Sequence, residues 1–267
     1  MSIDLIRALT IAKQAATAAA ETIEQFQLAN TQIEIKADTS PVTAADRAAE
    51  RAIRQHLQAH FPEHSIWGEE YGNNQSSSST KDDYLWLIDP IDGTKSWIAG
   101  LPFWSIQIAL WHCGEVILGV SHAPAFNEMA YSIKSDLKAR TTWFDEKPVS
   151  TSNIIELQDM RLSSGNLASL ADDERRWQTY GNIVKHCNRG RGYGDYYHYH
   201  RLAAGQLDAV IESDVNILDI AALWLLVENA GGVITDLEGK ALTLETTSVL
   251  AAATPALHTK LECLFND

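Results

Sequence analysis

A chain of 267 residues, 45% hydrophobic and with eight Trp, can bury a sizeable core, which excludes global disorder. Its 21 Lys and Arg against 35 Asp and Glu leave a formal charge of −14, and no basic run is present to track a phosphate backbone, so no nucleic-acid partner is expected. The odd, widely spaced Cys113, Cys187 and Cys263 suit neither a disulfide framework nor a zinc knuckle, and with no secretory pattern and no run near the ~20 apolar residues of a membrane span, a cytoplasmic protein free of the membrane is expected.

Residues 3–28 place Ile3, Ile6, Leu9, Ala12, Ala16, Ala19, Ile23 and Phe26 at mostly three- and four-residue steps without Pro or Gly, which predicts a long amphipathic helix. A second helix is predicted over 44–60: Thr43 can cap it with Asp46 three residues on, and Pro62 stops it. The stretch 73–80, polar and rich in serine, predicts a mobile surface loop. Apolar runs at 85–88, 106–111, 116–120 and 129–133, parted by turn residues, predict strands of an extended sheet beneath the two helices. The second half alternates: a strand at 160–163, helices at 172–186 and 196–204, a strand at 209–212, a helix at 219–230 stopped by Gly231-Gly232, and a strand at 233–235. Together these predict an α+β fold layered αβαβα, one domain over 1–267 with an N-terminal half (1–150) and a C-terminal half (151–267).

In Trp86-Leu87-Ile88-Asp89-Pro90-Ile91-Asp92-Gly93-Thr94 an apolar strand runs into two carboxylates three residues apart. Pro90 fixes φ, and Gly93 permits a tight turn and close approach of backbone to a ligand. A helix opened by Thr94 would aim the N–H groups of Gly93 and Thr94 at a phosphate. Hard oxygen ligands beside an anion site suit Mg2+ better than zinc. Each acid also has an ordinary explanation: an Asp-Gly turn here, a solvated pair at Glu69-Glu70, a helix N-cap at Asp219.

Taken in order, Gly68-Glu69-Glu70, Asp89-Pro90-Ile91-Asp92-Gly93-Thr94 and Leu218-Asp219-Ile220-Ala221-Ala222 ahead of Gly231-Gly232 resemble the three motifs of the inositol monophosphatase-like, lithium-sensitive phosphatases. The likeness runs from Lys36 and Pro41-Val42-Thr43 with Asp46 to the C-terminal strands. It implies the layered fold shared with fructose-1,6-bisphosphatase, a homodimer, and two to three Mg2+. Glu69, Asp89 and the Ile91 carbonyl would hold one ion, Asp89, Asp92 and Asp219 a second, and Glu69 would help with a third. Asp46 and Thr94 would activate the attacking water, with Glu69 also at the reacting centre, and Lys36, Gly93 and Thr94 would meet the phosphate. One departure is Leu218, where the motif carries Trp; a packing residue there leaves Asp219 in place. The chemistry implied is in-line attack of water on a phosphate monoester without a phosphoenzyme.

Choice of substrate is expected from the second half. The Gly190-x-Gly192-Tyr193-Gly194 run predicts irregular backbone near a ligand, with Asp195 as the N-cap of the next helix. That segment and residues 36–47 are similar to the histidinol-phosphatase branch, and carboxylates at Asp195 and Glu212 suit the ammonium and imidazole of L-histidinol phosphate. Inositol 1-phosphate, fructose 1,6-bisphosphate and adenosine 3′,5′-bisphosphate stay open, as does a non-catalytic relative that binds a phosphorylated metabolite. Arg191 and Arg189 can contact the phosphate or reach a second subunit, or be merely solvated. Zinc at His186, Cys187, His198 and His200 is disfavoured, because an i,i+2 pair on a helix does not share a face.

Overall fold

The computed structural model describes residues 3–27, 33–35, 41–74, 83–134 and 140–266. Lys36 and residues 75–80 of the serine-rich stretch lie outside them.

Helix α1 (Leu5–Gln27) is followed by an antiparallel pair, β1 (Ile33–Ile35) and β2 (Pro41–Thr43), which leads directly into α2 (Ala44–His60). Then come β3 (Ser65–Gly68), β4 (Gly72–Asn73), β5 (Leu85–Asp92), the short α3 (Thr94–Ile98), β6 (Ser105–His112), β7 (Glu115–Ala123), β8 (Glu128–Ile133), β9 (Thr142–Phe144) and β10 (Lys147–Val149). The second half holds β11 (Arg161–Gly165), α4 (Ala168–Asp172), α5 (Glu174–His186), β12 (Arg189–Arg191), α6 (Asp195–Ala203), β13 (Ala209–Ser213), α7 (Ile217–Asn229), β14 (Val233–Thr235), β15 (Ser248–Ala252) and α8 (Pro255–Asn266). Eight strands form one sheet in the order β10-β9-β8-β7-β6-β5-β3-β4, antiparallel except where β3 meets β5. Five form another, β12-β11-β13-β15-β14, parallel among its first three strands.

The two-residue period of the strands sorts side chains into three cores. Trp86 and Ile88 of β5 face α1 and α2, whereas Leu85 and Leu87 face α6 and α7. In β13, Val210 joins the same core as Leu85, and Ala209 and Ile211 turn toward α5 and α8. The layers are therefore α1/α2, the eight-stranded sheet, α6/α7, the five-stranded sheet and α5/α8. This is the αβαβα sandwich expected from the sequence. Covered on both faces, β5 is buried along its whole length, which is why it reads as a continuous apolar run. Alanines at 8, 12, 15, 16, 19 and 20 are buried in the core shared by α1 and α2, with Ala45 and Ala49 of α2; small side chains allow the two helices to lie close. Among the described residues no helix is long and apolar enough to cross a membrane.

Local differences from expectation have local causes. The helix expected over 172–186 starts two residues later, at Glu174, because Asp173 is extended and its carboxylate accepts the Arg176 N–H to cap α5; Asp172 ends the separate α4. Strand β5 runs past Ile88 to Asp92, with a register shift between Asp89 and Asp92 where Pro90 cannot donate to β6. Helix α7 starts at Ile217, two residues early, because Asn216 caps it.

Candidate active site

The irregular end of β5 brings its two acids to the mouth of the sheet, both buried. Asp89 Oδ1 accepts the Ile91 N–H at 2.9 Å. Asp92 is opposed across the strands by Ser105, and its Oδ2 accepts the Ser105 hydroxyl at 3.2 Å, the Gln107 side-chain amide at 3.4 Å and the Tyr196 backbone N–H at 3.0 Å. Three donors thus hold one oxygen. Gly93 then turns the chain at φ +88°, where an added Cβ would stand 2.6 Å from the Phe103 carbonyl, so only glycine fits.

The capping box of α2 carries the next group. Asp46 Oδ2 accepts both the N–H and the hydroxyl of Thr43, at 2.8 and 2.6 Å, while the Thr94 hydroxyl lies 3.2 Å from Asp46 Oδ1 and 3.0 Å from the Ile91 carbonyl. A hydroxyl has one proton, so these two acceptors share it. Burial lifts the Asp46 pKa above the usual carboxylate range, and the Thr43 bonds oppose that.

Asp219 is the third residue of α7 and not its cap, which corrects the sequence expectation. Its Oδ2 accepts the Asn216 N–H at 3.1 Å, while Asn216 Oδ1 takes the Leu218 N–H. Leu218 is buried in the core beneath. Glu69 leaves the end of β3 beside β5, its N–H donating to the Ile88 carbonyl at 3.2 Å.

Glu69, Asp89, Ile91, Asp92, Gly93, Thr94 and Asp219 line one cavity of about 480 Å³, together with Asp195 and Glu212. Lys95 is the one lysine or arginine among its lining residues, and Asp46 stands behind Thr94. Concentrated negative charge has the expected consequence. Burial, then Glu69, Asp219 and Asp92, push Asp89 well above the carboxylate range; burial, then Asp195, Asp219 and Glu212, do the same to Asp92. Asp219 keeps part of its surface open to the cavity, yet desolvation and Glu69 push it up to about 7. Asp89 shares hydrogen bonds with Glu69 and with Asp219. Among the described residues no three His, Cys, Asp or Glu side chains are drawn into a ready-made cage, as like charges do not close round a point by themselves.

In the same cavity Asp195 opens α6 with φ +47°, a left-handed value for a non-glycine residue. Gly194, not Asp195, occupies the N-cap, which corrects the second capping expectation. Burial and the facing Glu212 push Asp195 up to about 6. Glu212 Oε2 accepts the Tyr199 hydroxyl at 2.8 Å and lies 3.1 Å from His198 Nε2, whose Nδ1 is 3.3 Å from Ser163. Glu212 Oε1 takes the Asn166 amide at 3.5 Å. His200 points elsewhere, to Glu128 at 2.7 Å and Ser121 at 2.8 Å.

Arg191 is exposed on β12, donates to the Gly190 carbonyl, and does not line the cavity. Lys36 lies outside the described residues. Lys95, Ser96, Asn166, Tyr199 and Asp214 line the cavity without having been singled out from the sequence. Lys95 adjoins the Asp-Gly-Thr turn and was open to notice; the others are brought in by tertiary packing.

A sequence model described as the inositol monophosphatase family matches residues 4–267. A histidinol-phosphatase of Mycobacterium tuberculosis is 35% identical over 239 residues, 89% of each chain. A fructose-1,6-bisphosphatase/inositol-1-monophosphatase of Thermotoga maritima is 34% identical, covering 74% of this chain and 72% of its own. The structure of an inositol monophosphatase from Zymomonas mobilis superposes with a TM-score of 0.83 at 30% identity, covering 100% of both chains.

Proposed function

From the chain's membership of the inositol monophosphatase family, phosphatases of small phosphate monoesters, we propose that this protein hydrolyses the phosphate ester of an amino alcohol, with L-histidinol phosphate preferred. The observation that carries this reading is the facing pair Asp195 and Glu212, which line the same cavity as Glu69 and Asp89. Asp195 is held in a strained backbone and raised toward neutrality by burial and then by its neighbour Glu212. A cationic substrate group relieves that repulsion; a neutral polyol does not. Relatives named histidinol-phosphatase support the choice.

The donor set fits Mg2+: carboxylates and one backbone carbonyl are hard oxygen ligands, and carboxylates pushed toward protonation are those a divalent cation relieves. Glu69, Asp89, the Ile91 carbonyl, Asp92 and Asp219 would hold two to three ions. When bound, these neutralise the phosphate and lower the pKa of water. The chain's own residues supply the rest. Thr94 Oγ1 is placed to receive a proton from the attacking water as its own passes to Asp46 Oδ1, 3.2 Å away. Three donors to Asp92 Oδ2 hold that carboxylate in one orientation. Lys95 makes no ion pair among the described residues and is available to the phosphate. Water attacks phosphorus in line, the ester P–O bond breaks, and the departing alkoxide takes a proton from solvent to leave as the alcohol while Asp46 gives up its proton.

A cytoplasmic homodimer belongs to the same proposal. Phe103, Phe126, Tyr193 and Tyr197 form a contiguous ring cluster with Phe126 and Tyr193 exposed, a surface suited to a second copy. Inositol 1-phosphate is the second reading, favoured by Asn166 and Tyr199, hydrogen-bonding groups that line the cavity beside Glu212. Phosphate release with Mg2+, with and without Li+, from L-histidinol phosphate, inositol 1-phosphate, fructose 1,6-bisphosphate and adenosine 3′,5′-bisphosphate decides between them. The largest kcat/KM is expected for L-histidinol phosphate; a clear preference for inositol 1-phosphate refutes the amino-alcohol choice, and no hydrolysis of any ester refutes the catalytic role.

A further inference from the structure

Helix α2 sets Asp46, Glu50 and Arg54 four residues apart, on successive turns of one face. Asp46 reaches Thr94. The other two reach the turn that follows β3. Glu50 is completely buried, and Arg54 Nε donates to its Oε1 at 2.7 Å while Arg54 Nη2 donates to the Gly72 carbonyl at 2.6 Å. The same carboxylate accepts the Glu70 backbone N–H on Oε2 at 2.7 Å and the Tyr71 N–H on Oε1 at 3.3 Å. It also lies against Gly68, where an added Cβ would stand 2.0 Å from Oε1. Glycine is needed at 68 because a carboxylate occupies the space, not because of its backbone angle.

An i,i+4 ion pair inside a fold is often no more than structure, and its net contribution to stability is small. What distinguishes this one is where its remaining bonds go. All run to the backbone of residues 70–72, and the close contact at Gly68 secures the other side. Glu69 is the residue between these fixed points, and it lines the cavity.

We propose that Glu50, backed by Arg54, is a positioning residue for Glu69: its carboxylate clamps the 68–72 turn and presents Glu69 to the divalent-cation end of the cavity, in register with Asp46 on the same helix. This rests on the metal-dependent reading above. Groups that orient a ligand from behind are worth about 10- to 100-fold in metal affinity.

The test titrates metal-free protein with Mg2+ by calorimetry and measures turnover across Mg2+ concentration. Glu50→Gln is expected to bind Mg2+ about 10- to 100-fold more weakly and to need correspondingly more Mg2+ for half-activation, with kcat recovered at saturation. A merely structural role leaves the calorimetric affinity of the folded protein unchanged. Combined with Glu69→Ala, Glu50→Gln is expected to cost nothing further, because its effect passes through Glu69. Unchanged affinity in Glu50→Gln beside a wild type that binds Mg2+, or a fully additive loss in the double variant, overturns the clamp alone. A wild type that binds no Mg2+ overturns the metal-dependent reading and the clamp together. Should circular dichroism show Glu50→Gln unfolded, Arg54→Met, which keeps the carboxylate and its two backbone bonds, carries the test: weaker Mg2+ binding supports the clamp and wild-type binding refutes it.

Discussion

Asp92 divides its two oxygens between different tasks: Oδ2 is engaged by Ser105, Gln107 and the Tyr196 N–H, which leaves Oδ1 for a cation. Asp92→Asn removes the charge while keeping the shape. Turnover is expected to fall at least about a hundredfold with the circular dichroism spectrum intact, and near-normal turnover contradicts the assignment. A second residue-scale expectation concerns protons. Asp219 titrates near 7 in the folded chain against an ordinary value of about 4 when unfolded. The folded state therefore holds more protons between those values, and the stability this contributes is present below the lower value and lost as pH rises through the upper one. Mg2+ bound at the proposed site would compete with those protons. Thermal melts with Mg2+ and with chelator should show a larger Mg2+-induced rise in Tm at about pH 8 than at about pH 5, and equal shifts refute the coupling. The acids of the cavity other than Asp214 were legible in the sequence because each sits in a short contiguous pattern beside an apolar strand or helix. Asn166 and Tyr199 were not, since nothing near them in the chain signals where they point.

Elements follow the same division between local and distant information. Helix α2 was predicted to the residue because its start is a capping box between Thr43 and Asp46, chemistry complete within four positions. Helix α7 uses the same device, yet its start was misplaced: an acid three residues into the helix looks like a cap when the asparagine before it goes unnoticed. Gly194 hid the start of α6 in the same way. Strands β9, β10 and β12, three residues each, are too short to show a period and exist through their neighbours. The junction of β5 and α3 invites a test. Gly93 combines φ +88° with a 2.6 Å approach to the Phe103 carbonyl, so Gly93→Ala meets both a backbone and a steric penalty. It should destabilise by more than about 1 kcal/mol and lower kcat/KM, read by urea unfolding beside phosphate release. Wild-type values in both refute the account of the turn.

Helix α7 ties the molecule together against its order in the chain. It comes late in the sequence, yet it packs across β5, β6 and β7 of the first sheet and also against β14 of the second, and it carries Asp219 to acids that precede it by more than a hundred residues. A cation bound by that set has no complete site until this long-range closure has happened. In kinetic terms, Mg2+ bound there is expected to meet the chain after the folding barrier and not on the way up it. Saturating Mg2+ is therefore expected to slow unfolding while leaving the folding rate unchanged, a displacement of one limb of the chevron that stopped-flow fluorescence of the eight tryptophans can follow. Acceleration of folding by Mg2+ would instead place the gathering of the carboxylates early. On the metal-dependent reading, the position of one helix would make the cation a brake on loss of the native state, and would tie the protein's lifetime to the concentration of free Mg2+ around it.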